Sequence, residues 1–112
     1  MLKVTENKGF HLELTNGAWI SVQFGSMNYC QRRSFNAAFG SEKALDVVES
    51  IDAEIMICNS HGYHITHHFV SGCSDQVAGY LSADQVAIII GRLALMDKRD
   101  LDLLTDFSYS VD

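Results

Sequence analysis

The dipeptide Asn16-Gly17 restricts this chain more than any other feature, because it stands between two segments whose apolar residues recur at every second position. Phe10, Leu12 and Leu14 precede it; Ala18, Ile20, Val22 and Phe24 follow, alternating with Trp19, Ser21 and Gln23. A period of two is that of a strand with one buried face. Asn-Gly supplies the two positive-φ residues that a tight hairpin turn uses. An antiparallel hairpin is therefore expected over residues 10–24.

The second strand runs into Gly25-Ser26-Met27-Asn28-Tyr29-Cys30-Gln31-Arg32-Arg33. A flexible residue, an amide, an aromatic ring and two guanidinium groups are what is needed to hold a phosphorylated nucleoside. Arginine presents a planar fork of donors that matches phosphate oxygens, and tyrosine offers a face on which a base can stack. The same residue types also make an ordinary solvated loop, and an Arg-Arg pair in an acidic chain is a ready ion-pair partner. No phosphate-loop or dinucleotide fingerprint is present.

With 112 residues, 47% of them hydrophobic and 20% charged, the chain has the size and composition of one globular domain, expected to span residues 1–112. The longest apolar run, Val86 to Ile90, is far too short to cross a bilayer. MLKVTENKGF lacks the apolar stretch of a secretory signal, so a soluble cytoplasmic protein is expected. A net charge of −6 with only eight lysines and arginines argues against general nucleic-acid binding, while leaving room for a small anion held by a few arginines. Cys30, Cys58 and Cys73 are odd in number and have no paired spacing, which fits free thiols.

Residues 1–8 read as a frayed lead-in or a short edge strand, Ser34 to Gly40 as a surface connection, and Ser41 to Ser50 as a short helical turn. In Ile51 to Cys58, Ala53, Ile55 and Ile57 share one face, which predicts a strand. Asn59-Ser60-His61-Gly62 is a turn cluster, and Tyr63 to Phe69 reads as the partner strand of a second hairpin. Val70 to Gly79 is loop-like. Ser82-Ala83-Asp84-Gln85 carries a capping-box signature, and Val86, Ile89, Ile90 and Leu93 form the apolar stripe of the helix that follows, with Arg92 off its centre. Asp97 to Asp112 is an acidic stretch anchored by Leu101, Leu103, Leu104, Phe107 and Tyr109, either a second short helix packing on the sheet or an arm that orders only against a partner subunit. The expected class is α+β: an N-terminal antiparallel sheet of two hairpins with one or more C-terminal helices packed on it.

His61, His64, His67 and His68, flanked by Cys58 and Cys73, invite comparison with a metal site. On a strand, His64 and His68 would stand about 13 Å apart and His67 would face the other way, so no metal is expected. His64-Ile65-Thr66 matches half of the paired H-x-T motif of two-histidine phosphodiesterases, but the second half is missing and acid–base chemistry of that kind uses both. No activated nucleophile stands out, and neither a catalytic residue nor a cofactor is expected.

The LTNG hairpin, the SVQFG strand, the NYC loop with its arginines, the later D-A-E-I strand, S-D-Q-V-A-G-Y and the S-A-D-Q-V-A helix resemble the Thoeris anti-defence sponge family, first type, over roughly residues 10–96. The resemblance implies a non-enzymatic phage protein, acting in the cytoplasm of an infected bacterium, that sequesters a cyclic ADP-ribose isomer, a cyclic di- or trinucleotide, or both. It also implies a homo-oligomer, dimer or hexamer, with ligands between subunits; the charge and the short apolar runs separately argue against genomic nucleic acid or a membrane as partner. Carried over by position, the loop arginine is Arg32 or Arg33, the helix arginine is Arg92, and polar contacts fall at Ser74 and Asp75, where the family favours an asparagine in place of Ser74. The loop adds Asn28 and Tyr29: Tyr29 or Tyr80 would stack the base, and Asp75 or Asn28 would accept from ribose hydroxyls.

Overall fold

A computed structural model describes residues 1–5, 8–25, 28–30 and 49–109. Its centre is one antiparallel sheet of five strands in sequential order: β1 (Leu2–Val4), β2 (Gly9–Glu13), β3 (Trp19–Gln23), β4 (Asp52–Cys58) and β5 (Val77–Ser82). Two helices follow, α1 (Ala83–Leu95) and α2 (Lys98–Asp102). The α+β architecture expected from the sequence is present, with the C-terminal helix on the sheet.

The expected first hairpin is β2–β3, in the register Phe10 opposite Val22 and Leu12 opposite Ile20. Its turn differs from the expected form. Gly17 alone of the pair has a positive φ, 86°, and the loop is Thr15 to Gly17, closed by Gly17 N–H to the Leu14 carbonyl at 3.0 Å and Leu14 N–H to the Ala18 carbonyl at 2.9 Å. A three-residue loop of this kind needs only one left-handed residue. Asn16 instead reaches away. Its Nδ2 donates to the carbonyls of Leu93 at 2.8 Å and Met96 at 2.9 Å, and its Oδ1 accepts from Ala18 N–H at 3.1 Å. One amide thus caps the end of α1 and fixes the hairpin to it, and α1 ends without a C-terminal glycine to do this. Asn16→Ala is expected to cost about 2 kcal/mol, read as a lower urea midpoint; an unchanged midpoint would show that the helix end does not depend on this amide.

β1 is the edge strand anticipated at residues 1–8, with Leu2 and Val4 exposed. β4 is the strand expected from Ile51 to Cys58. Its second partner is not Tyr63 to Phe69. That segment makes a single bridge, Cys58 to His64, and then turns through a 3₁₀ helix at Thr66–His68. The hydroxyl of Thr66, fully buried, takes the place of a strand: Oγ1 accepts from Ile57 N–H at 2.9 Å and donates to the Gln76 carbonyl at 2.8 Å. The strand that pairs with β4 is β5, whose first half, Val77 to Gly79, comes from the loop-like stretch. The sequence signal failed there because β5 carries a bulge: Asp52 and Ala53 face Ser82 and Leu81, but Ile55 faces Ala78, so Gly79 and Tyr80 together oppose Glu54.

Ala18, Ile20, Val22, Ala53, Ile55, Ile57, Ala78 and Leu81 make one buried sheet face, on which Val86, Ile89 and Leu93 of α1 and Leu101 of α2 pack. The capping box expected at Ser82 is formed: the Ser82 side chain accepts from Gln85 N–H, and the Gln85 side chain accepts from Ser82 N–H. Of the two readings for residues 97–112, the short helix is present as α2, whereas the described tail after it, to residue 109, is ordered against the 64–76 segment of its own chain and does not wait for a partner subunit. The readings for residues 34–48 lie outside the described residues.

Candidate functional site

By strand alternation, Glu54 points to the face of the sheet opposite α1, since Ala53 and Ile55 on either side of it are in the core. Asn28 and Tyr29 lie on that outer face. Asn28 Oδ1 accepts from Gly25 N–H at 3.0 Å, so this side chain shapes the turn. Tyr29 N–H donates to Glu54 Oε2 at 2.8 Å, and the Tyr29 carbonyl accepts from Tyr80 N–H at 2.9 Å. The approach requires glycine at 79, where a Cβ would fall 2.5 Å from Tyr29 Cβ. Tyr80 itself takes a left-handed backbone, φ 58°, at a cost that glycine would not bear, and its ring is more than half exposed beside the partly exposed Tyr29.

Arg92 stands on α1, on the other side of the sheet. Its guanidinium lies 5.6 Å from the centroid of the Phe69 ring, within cation–π range, and among the described residues no carboxylate pairs with it. Beside this stack runs a groove of about 250 Å³, lined by Phe69, Val70, Leu81, Ile88 and Ile89, with Ser71 and Gln85 as its polar members. Phe69 is the residue here that the sequence reading missed. The sequence pattern predicts it on a strand, whereas it follows the 3₁₀ turn and is buried.

Ser74 and Asp75 form a third location. Ser74 is exposed, and Asp75 Oδ1 accepts from Gln76 N–H at 2.6 Å and from the Tyr109 hydroxyl at 3.0 Å. That bond holds the Tyr109 hydroxyl proton, raising its pKa above the ordinary tyrosine value. Within one chain, then, Asn28 and Tyr29 are brought together, Arg92 lies across the sheet from them, and Asp75 is engaged by the tail. Arg32 and Arg33 lie outside the described residues.

The histidines are not laid out along a strand. The His67 and His68 rings lie side by side, centroids 4.1 Å apart and tilted by 42°, instead of facing opposite ways, and His64 Nδ1 lies 3.6 Å from Cys58 Sγ. Burial, reinforced by Asp106, pushes the Cys58 thiol up to about 11, so it stays protonated at neutral pH and is a poor nucleophile. Among the described residues no three His, Cys, Asp or Glu side chains gather as a metal site. The Thr66 hydroxyl of the H-x-T sequence is buried and committed to two backbone groups. Ser60, Lys98 and Asp102 form a surface cluster, in which Ser60 Oγ donates to Asp102 Oδ1 at 2.6 Å. The Lys98 bond, first among several contacts, holds the Asp102 carboxyl below its usual range. No helix among the described residues is long and apolar enough to cross a membrane. Compared with known protein families, with curated proteins and with solved structures, the chain finds no match.

Proposed function

We propose that this chain is a non-catalytic binding module that sequesters a cyclic nucleotide signal, a cyclic ADP-ribose isomer or a cyclic di- or trinucleotide, in an infected bacterial cell. The observation that carries the reading is Arg92. A guanidinium free of any described carboxylate, steadied against an aromatic face, and bordering an apolar groove is suited to a ligand with a phosphate at one end and a flat base at the other. The likeness of the sequence layout to the sponge family supports the same ligand class. Tyr29 and Asn28 on the far face of the sheet are consistent with ligands held between two copies, since one chain cannot close both surfaces around one molecule.

Native mass spectrometry with a panel of cyclic ADP-ribose isomers and cyclic di- and trinucleotides tests this directly. One ligand of the panel is expected to add its own mass to an oligomer and to be recovered intact after heat denaturation. Arg92→Ala should weaken binding by roughly 10- to 100-fold, the value of one charge-assisted phosphate contact. A cleaved product, or no adduct with any member of the panel, would overturn the proposal.

A further inference from the structure

Residues 105–109 form neither helix nor strand, yet Thr105, Asp106, Phe107 and Tyr109 are each fastened to the 64–76 segment. His64 N–H donates to Asp106 Oδ1 at 2.6 Å, and Phe107 N–H donates to the His64 carbonyl at 3.0 Å. His68 Nε2 donates to the Thr105 carbonyl at 3.1 Å, and the Tyr109 hydroxyl closes the far end on Asp75. Inside this strap the Phe107 ring stands edge-on to His67, centroids 5.5 Å apart, and to Tyr109, 4.9 Å apart. His67 Nδ1 is shut away from water and has no hydrogen-bond partner among the described residues.

We propose that the 105–109 strap is a latch released by acid, and that His67, pinned beneath Phe107 with an unpartnered ring nitrogen, is its trigger. A proton added at Nδ1 would create a donor where no described acceptor waits, and would set a positive ring against His68 on the same turn. Asp106, facing from the strap, attracts that charge and opposes release; besides His68, the other titratable groups on the segment beneath the strap are His64, Cys73 and Asp75. Desolvation first, and His68 second, hold the His67 pKa below its ordinary 6.5, with Asp106 acting the other way. The neutral ring therefore belongs to the closed latch. Closure is complete above pH 6.5, the ordinary value, and weakens as pH falls below it, by at most about tenfold per pH unit for one proton. Opening frees the Asp75 carboxylate and uncovers Phe107, whether or not the chain binds a nucleotide.

An NMR titration of the full chain from about pH 8 to about pH 5, where carboxylates near their usual pKa of about 4 stay mostly ionised, tests the latch. The His67 ring is expected to titrate below 6.5. The amide signals of His64 and Phe107 should move toward unstructured positions with the same midpoint, while those of Ile55 and Ile57 in the core stay in place. His67→Phe, which keeps a ring beneath Phe107, should hold the strap closed to the end of the titration. Unmoved strap amides, a His67 that titrates at or above 6.5, or a variant that opens at the parent pH would each overturn the proposal. If the variant does not fold, the titration of the parent protein still decides.

Discussion

Asn59→Ala is expected to lower stability by about 3–4 kcal/mol, because a single side chain at this position serves three backbone groups inside the protein. Asn59 is 1% exposed. Its Oδ1 accepts from His61 N–H at 3.0 Å and from Tyr63 N–H at 3.1 Å, holding the turn that ends β4. Its Nδ2 donates to the Leu101 carbonyl at 3.2 Å and so ties the same turn to α2. Alanine removes all of these and leaves a void. In a domain of this size the loss corresponds to a fall in Tm of roughly 12–25 °C, measurable by calorimetry. Asn59→Asp keeps the acceptor but cannot donate to Leu101, and is expected to fall between the two. A Tm within a few degrees of the parent for Asn59→Ala would show that water replaces the amide.

Gly9→Ala is expected to cost about 3 kcal/mol, at the upper end of overpacking effects. A Cβ at this position would fall 2.1 Å from the Val22 carbonyl oxygen and 2.9 Å from Gln23 Cα, both of them backbone atoms of the neighbouring strand. Relief requires parting β2 from β3 where Gly9 and Gln23 are paired. Gly91→Ala is the control. It lies in α1 with nothing within 4 Å of an added Cβ, and alanine there should stabilise by about 0.5–1 kcal/mol. Urea denaturation of the two variants should therefore move in opposite directions, and a Gly9→Ala midpoint equal to the parent would refute the clash.

These positions mark where the sequence was legible. β2, β3 and β4 carry apolar residues at alternate positions and pair with one another in unbroken register, and α1 announces itself through the Ser82–Gln85 box. β5 was hidden by its own bulge. Ala78 and Leu81 face the core three residues apart, a spacing that breaks the period of two by which a strand is recognised. Tyr63 to Phe69 misled in the opposite way, since β-branched and aromatic residues there fill a tight turn whose ladder bonds come from Thr66. Asn59 had a readable signal, an asparagine at the head of a Ser-His-Gly turn, the setting in which its side chain bonds backbone two residues on. For the candidate site, the helix position of Arg92 was legible, but its seat on Phe69 was not, because that contact joins segments 23 residues apart that no local pattern couples.

The Asn16 amide joins the tip of the first hairpin to carbonyls 77 and 80 residues further along. Loop closure over such distances makes assembly slow relative to helix or hairpin formation alone. During synthesis the hairpin emerges long before the helix it must clasp, so its tip waits, unsecured, until residues 93–96 have left the ribosome.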